Sequence, residues 1–191
     1  MANWCSTSYT IVGEKSDIMK IYNALKCHSV KDKSDDNWEG NILHTLGVSY
    51  DDIEKRCMRG FISDYQLFDK NIYGDAQLQI NCDEAWTRTD FAEMLGSLFP
   101  EISVYWIAEE PGCDYFLTND DGGNFYQERY WVDTCINGDY QSEYFETIEG
   151  VYKWLSSISS CKNEEDVEKF NNDAAEAKSE DFINIHEYDV V

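Results

Sequence analysis

The chain has 191 residues and a formal net charge of −23, from 38 Asp and Glu against 15 Lys and Arg. A hydrophobic fraction of 42 % with 15 % aromatics is sufficient for a folded domain with its own core, which excludes a disordered chain. The charge is lopsided: residues 1–60 hold 9 acidic against 8 basic residues, leaving 29 against 7 for the remainder. A field of that sign repels nucleic-acid phosphate and anionic lipid and attracts cations and basic protein surfaces.

"WCSTSYTIVG", residues 4–13, alternates apolar and small polar side chains at period two and stops at Gly13, which predicts a half-buried strand. "SDIMKIYNALKC" follows, with Ile18, Ile21, Tyr22 and Leu25 at helical spacing and Ser16 placed as N-cap, which predicts a helix over 16–27. "HSVKDKSDDNWEGN" reads as a surface loop, and "SYDDIEKRCMRG" as a short helix with Ser49 ahead of two acids. Strands are expected over 60–69 and 75–85, joined by the turn "KNIYG". A helix over 88–99 is capped by Thr87 or Thr89 and stopped by Pro100, with Phe91, Met94, Leu95 and Leu98 as its apolar stripe. "EISVYWIAEE" gives a strand over 101–109, and 114–132 reads as a hairpin about Gly122-Gly123. From residue 137 the chain becomes more acidic, with a short strand, a helix carrying Val151, Trp154, Leu155 and Ile158, a second acidic helix and an alternating tail, "FINIHEYDVV".

Strand, helix, insertion, two strands, helix and two strands is the order of an α+β sandwich, an antiparallel sheet with its helices on one face. Residues 1–136 are assigned to this domain with an insertion at about 30–59, and 137–191 to an acidic elaboration packed on it.

The charge crowds into "EEPGCDYFLTNDDGGNFYQERYWV", residues 109–132. An EF-hand loop wants oxygen ligands at positions 1, 3 and 5 and glycine at 6. Counting from Asn119, Asp121 stands third, but Gly123 is fifth and Asn124 sixth, so the register fails and a glycine turn is the better reading. Glu109 and Glu110 end a strand and therefore point to opposite faces, a poor arrangement for an acid/base dyad. None of the three histidines, His28, His44 and His186, stands in a nucleophile or zinc signature, and no phosphate-binding glycine loop occurs. Seven cysteines without a CxxC pair read as small buried thiols in a reducing cytoplasm. The opening segment has no basic leader or apolar run, and no window approaches a membrane span, so a soluble cytoplasmic protein is expected.

"MANWCSTSYTIVG", "AWTRTDFAEMLGSLFPEISVYWIAEEPGCDYF" and the "GGN" turn resemble the YubB-like family, over the N-terminus and roughly residues 60–132. The resemblance implies a ferredoxin-like fold without an iron-sulfur cluster and a mobile-element setting, and it supplies no catalytic residues. "AWTRTDF" departs from the prolines that follow the tryptophan in that family, so the helix start can differ.

The functional expectation is a non-enzymatic protein, without catalytic residue, metal or cofactor, whose acidic face binds a basic protein surface. One form such binding takes is occupation of a nucleic-acid-binding groove, as a mimic or as an inhibitor of a host or defence protein, and direct nucleic acid or membrane binding is not expected. The binding carboxylates are placed at Glu109, Glu110, Asp114, Asp120, Asp121 and Glu128, of which Asp120, Asp121 and Glu128 read as exposed. The competing reading is a divalent-metal binder or small enzyme using Glu109, Glu110, Asp114, Asp120 and Asp121.

Overall fold

Alternation along Trp4–Gly13 becomes a strand, β1, whose odd positions Cys5, Tyr9 and Ile11 are buried. The computed structural model describes residues 4–28, 37–68, 76–85 and 90–191. They fall into two compact units, Met1–Asp121 with Val191, and Gly122–Val190.

In the first unit β1 is followed by α1 (Lys15–His28), α2 (Glu39–Thr45), α3 (Tyr50–Lys55), β2 (Gly60–Phe68), β3 (Ala76–Ala85), α4 (Asp90–Leu98), β4 (Ser103–Glu110) and β5 (Tyr115–Thr118). Hydrogen bonding runs in the order β2-β3-β1-β4-β5, and each of these pairings is antiparallel. Tyr9 lies opposite Ile80, which lies opposite Tyr65, so the three share one face. Phe91 of α4 meets the Tyr9 ring edge-on at 5.7 Å and Tyr22 of α1 meets Tyr65 at 5.8 Å. Both helices therefore cover the same face of the sheet, as the apolar stripes require. The core between them holds Ile18, Ile21 and Leu25 of α1, Leu95 of α4, and Leu78 and Ile80 of β3. Ser49 caps α3 by accepting from the Asp52 amide at 3.2 Å. Trp38 and Glu39, at the end of the stretch read as surface loop, turn inward, and Glu39 is buried. The expected caps Thr87 and Thr89 and the turn at 70–74 lie outside the described residues.

The second unit contains β6 (Tyr130–Ile136), β7 (Asp139–Phe145), α5 (Ile148–Ile158), α6 (Glu164–Ala177) and β8 (Phe182–Glu187). Its sheet order is β7-β6-β8. Val132, Ile183 and Ile185 on one face pack with Val151, Leu155 and Val167 of the two helices. Thr147 and Asn163 cap α5 and α6 by accepting from Gly150 and Asp166 amides. The alternating tail is thus an edge strand, β8, paired to β6 from Cys135–Phe182 to Tyr130–Glu187.

Two expectations are corrected here. Residues 114–132 are not a hairpin: β5 pairs with β4, and β6 pairs with β7 and β8. A turn does occur at Asp121-Gly122, and Gly123 follows it at φ +61°. The division between units falls after Asp121 rather than after residue 136, which moves β6 into the second. Asn119 directly follows β5. Its side chain accepts from the Trp106 amide at 2.7 Å and donates to the Val104 carbonyl at 2.9 Å, so it caps the edge of β4 in place of further strand.

Candidate functional site

The six carboxylates singled out from the sequence do not converge. Glu109 is half-buried, across from Ser6 and Phe116, and Glu110 on the other face of β4 is buried. Asp120 is 0 % exposed, against the expectation that it belongs to an acidic face. Asp114 sits in the left-handed region at φ 57° after the 3-10 turn Pro111–Cys113, and it and Asp121 are exposed. Glu128 is exposed in the second unit. Asn119, the first position of the rejected calcium loop, has both amide groups committed to β4. Among the described residues no cluster of three or more His, Cys, Asp and Glu is arranged to hold a metal ion.

The acidic surface is built instead by the second unit. Residues 122–190 contain 16 Asp and Glu against 5 Lys and Arg. Of those 16 carboxylates 13 are exposed, 3 are half-buried and none is buried. The reason is architectural: β7 is an exposed edge strand, and α6 buries only Val167 and Ala174, with Asp166, Phe170 and Asn171 half-buried and its other positions exposed. Among the described residues, the lysine side chains of α5 and α6 form no ion pair with these carboxylates, and five basic residues stand against sixteen acidic ones. Like charges at this density raise the local potential and keep counter-ions near the surface.

A second set of carboxylates was not visible in the sequence. Glu39, the first residue of α2, and Glu84 of β3 are 2 % and 3 % exposed. Glu84 accepts from the Tyr9 hydroxyl and from the Thr7 hydroxyl, both at 2.6 Å, and is hydrogen-bonded to Glu39. Burial above all, and then the neighbouring Glu84 charge, push the Glu39 carboxyl well above the usual carboxylate range. Glu84 is raised too, by burial, against the lowering effect of its three hydrogen bonds. Two neighbouring carboxyls cannot both ionise in a dry site, so the pair keeps a proton above the usual carboxylate range, with Glu39 the more strongly raised of the two. Burial also raises the Tyr9 hydroxyl and the Cys82 thiol, which stay neutral beside them. Gly60 seats the Glu39 carboxyl, since any Cβ there would overlap it.

Around this pair Glu39, Met58, Gly60, Glu84, Asp90 and Phe91 leave a cavity of about 10 Å³. That is room for roughly one water molecule. Glu39 Oε1 has no hydrogen-bond partner within the protein and is an acceptor for such a water. Arg56 draws Asp90 and Glu93 together at 3.1 and 2.8 Å, which offsets the Asp90 charge beside the pair. The signal in the sequence was faint: Cys82 and Glu84 continue the inward alternation of β3, so Glu84 was legible as an inward polar residue, but nothing local marks Glu39.

Four cysteines, Cys5, Cys82, Cys135 and Cys161, are buried free thiols as expected, while Cys27, Cys57 and Cys113 are exposed. Among the described residues no helix is long and apolar enough to cross a membrane. Comparison with protein-family models, with curated proteins and with solved structures gives no match.

Proposed function

We propose that this is a non-enzymatic interaction protein whose acidic surface binds a basic protein surface, in the manner of a nucleic-acid mimic. The observation that carries the reading is that every carboxylate of residues 122–190 reaches solvent while only 5 basic residues accompany the 16. A surface of this sign accelerates encounter with a basic groove, and the advantage is screened over about 8 Å at physiological ionic strength. The buried Glu39–Glu84 pair supports the same side of the choice, because its cavity of about 10 Å³ admits no organic substrate.

The first unit is read as ferredoxin-like. Strand order β2-β3-β1-β4, with α1 and α4 on one face, supports this. Kinship with the YubB-like family rests on the "NWC" opening and the "EEPG" corner. The mobile-element setting and the acidic α6 as an elaboration of that fold are part of the same proposal.

The test is affinity capture from lysate at low and physiological salt, with wild type and with Glu168→Lys/Asp173→Lys/Glu176→Lys as bait. These three positions are exposed on α6. Wild type should capture basic nucleic-acid-binding proteins that salt and added DNA both release, and the reversal should lose them. Identical captures by the two baits, or captures that DNA leaves in place, contradict the proposal. Measured on a captured partner, the reversal should slow association more than it speeds dissociation.

A further inference from the structure

Within the second unit, β6, β8, α5 and α6 enclose a groove of about 420 Å³. Its floor is apolar, made by Ile148, Val167 and Ile185. Tyr130 and Tyr152 also line it, and Glu164, Glu168 and Glu187 complete it. The stripe Glu164, Val167, Glu168, Asn171 follows the i, i+3, i+4, i+7 spacing that brings side chains to one face of α6. Glu187 lies directly opposite Tyr130 across the β6–β8 ladder and accepts from its hydroxyl at 3.2 Å.

The walls are held in place before any ligand arrives. Asn171 accepts from the Ile183 amide at 2.9 Å and donates to the Ile183 carbonyl at 2.8 Å, which locks α6 to β8. Among the described residues no lysine or arginine pairs with Glu164, Glu168 or Glu187. An apolar floor that takes a hydrocarbon stem, aromatic rings beside it and uncompensated carboxylates together recognise a long side chain with a cationic head.

We propose that this groove is the seat for one lysine or arginine side chain presented by the basic partner. The inference rests on the reading of the protein as a binder of basic surfaces and names the place where that binding is specific rather than diffuse. The field of the site supports it. Burial first, and then the Glu187 charge, raise the Tyr130 hydroxyl; burial and then Glu164 raise Tyr152. Both tyrosines therefore stay neutral beside the carboxylates and present ring and hydroxyl, not a phenolate, to the cation. A guanidinium or ammonium placed there is drawn by Glu164 and Glu168 from one side and by Glu187 from the other.

The experiment is an amide-resolved NMR titration of the full chain with the peptide acetyl-Gly-Gly-Lys-Gly-Gly-amide, its arginine counterpart, and a counterpart with norleucine in place of lysine. Shifts from the charged peptides should centre on residues around 148–152, 164–171 and 185–187, and the norleucine peptide should bind at least about tenfold more weakly. Glu164→Gln/Glu168→Gln should weaken the charged peptides about tenfold. Glu143→Gln/Glu146→Gln, the same charge change elsewhere on the unit, should change them less than about twofold. Tyr152→Leu keeps the apolar contact and should also weaken them, through loss of the ring.

Equal weakening by the two glutamine pairs, or equal binding of the norleucine peptide, overturns the groove as a seat. Binding of free 1,5-diaminopentane more tightly than of the lysine peptide overturns the assignment to a protein side chain. A hexalysine probe separates the two levels of the argument. If it binds at low salt and both glutamine pairs weaken it alike, the acidic surface stands and the groove falls. If it does not bind at all, both fall.

Discussion

Replacing Glu39 by glutamine should make the protein more stable relative to wild type as pH rises. The native carboxyl is held protonated because it is buried and lies against Glu84. An unfolded glutamate loses its proton near pH 4.3. Above that pH the folded chain therefore binds one proton more than the unfolded chain. Stability from this group is fully present below the unfolded pKa and declines as pH climbs toward the raised folded pKa. The slope is about 1.4 kcal/mol per pH unit for one proton. Glutamine has nearly the same shape, still donates to Glu84 and does not titrate, so the slope is absent from the variant. The 36 carboxylates other than Glu39 and Glu84 are common to both proteins and cancel in the difference, while Glu84, whose titration is tied to Glu39, is read with it as one pair. Tyr9 and Cys82, pushed up by burial, remain neutral throughout, and Asp90 stays paired to Arg56. The assay is urea unfolding of both full-length proteins at intervals from pH 5 to 8, with amide hydrogen exchange in β1 and β3 assigning the transition to the first unit. The stability difference should shift toward the glutamine variant by about 1.4 kcal/mol per unit from pH 5 up to the folded pKa of Glu39. A difference that does not change with pH would falsify the shared-proton account of the pair.

Gly60→Ala should destabilise by about 2 kcal/mol or more, because the new methyl group meets the Glu39 carboxyl, and Glu39→Ala in the same chain should recover part of it. A double-mutant cycle measured by urea unfolding should give a coupling of about 1–3 kcal/mol, and additive losses would show that the seat is not real. Asp120→Lys should cost more than about 3 kcal/mol because Asp120 is buried, while Glu128→Lys at an exposed position should stay within about 0.5 kcal/mol, both read by thermal or urea unfolding. In thiol titration with an aromatic disulfide reagent, Cys27, Cys57 and Cys113 should react in the native protein and all seven cysteines after denaturation. Slow reaction at any of the three exposed positions, or a denatured total below seven, would contradict the free-thiol assignment.

Local chemistry set out most of the elements before any tertiary contact was considered. Period two in residues 4–13 could only serve a strand with one buried face, and β1 spans those same residues. Ile18, Ile21 and Leu25 could line up only on a helix, and they form the buried stripe of α1. Those signals are local because side-chain periodicity follows backbone geometry alone. Pairing is different. "NDDGGN" looks the same whether the chain doubles back or moves to another sheet, and only the partners of β5 and β6 decide it, β4 for one and β7 with β8 for the other. Burial of charge is not local either. Asp120 and Asp121 are neighbours of one residue type, yet one is buried and the other exposed. Glu39 and Glu84 stand 45 positions apart and become a proton-sharing pair only because α2 meets β2 at Gly60, which lies opposite Glu84 in the ladder. The groove assembles Tyr130, Tyr152, Glu164 and Glu187 from four separate elements, and β8 became a wall of it only by pairing with β6. A pKa, a cavity or a cation seat depends on what lies across a gap of a few ångströms, and that distance is set by packing between residues remote in the chain.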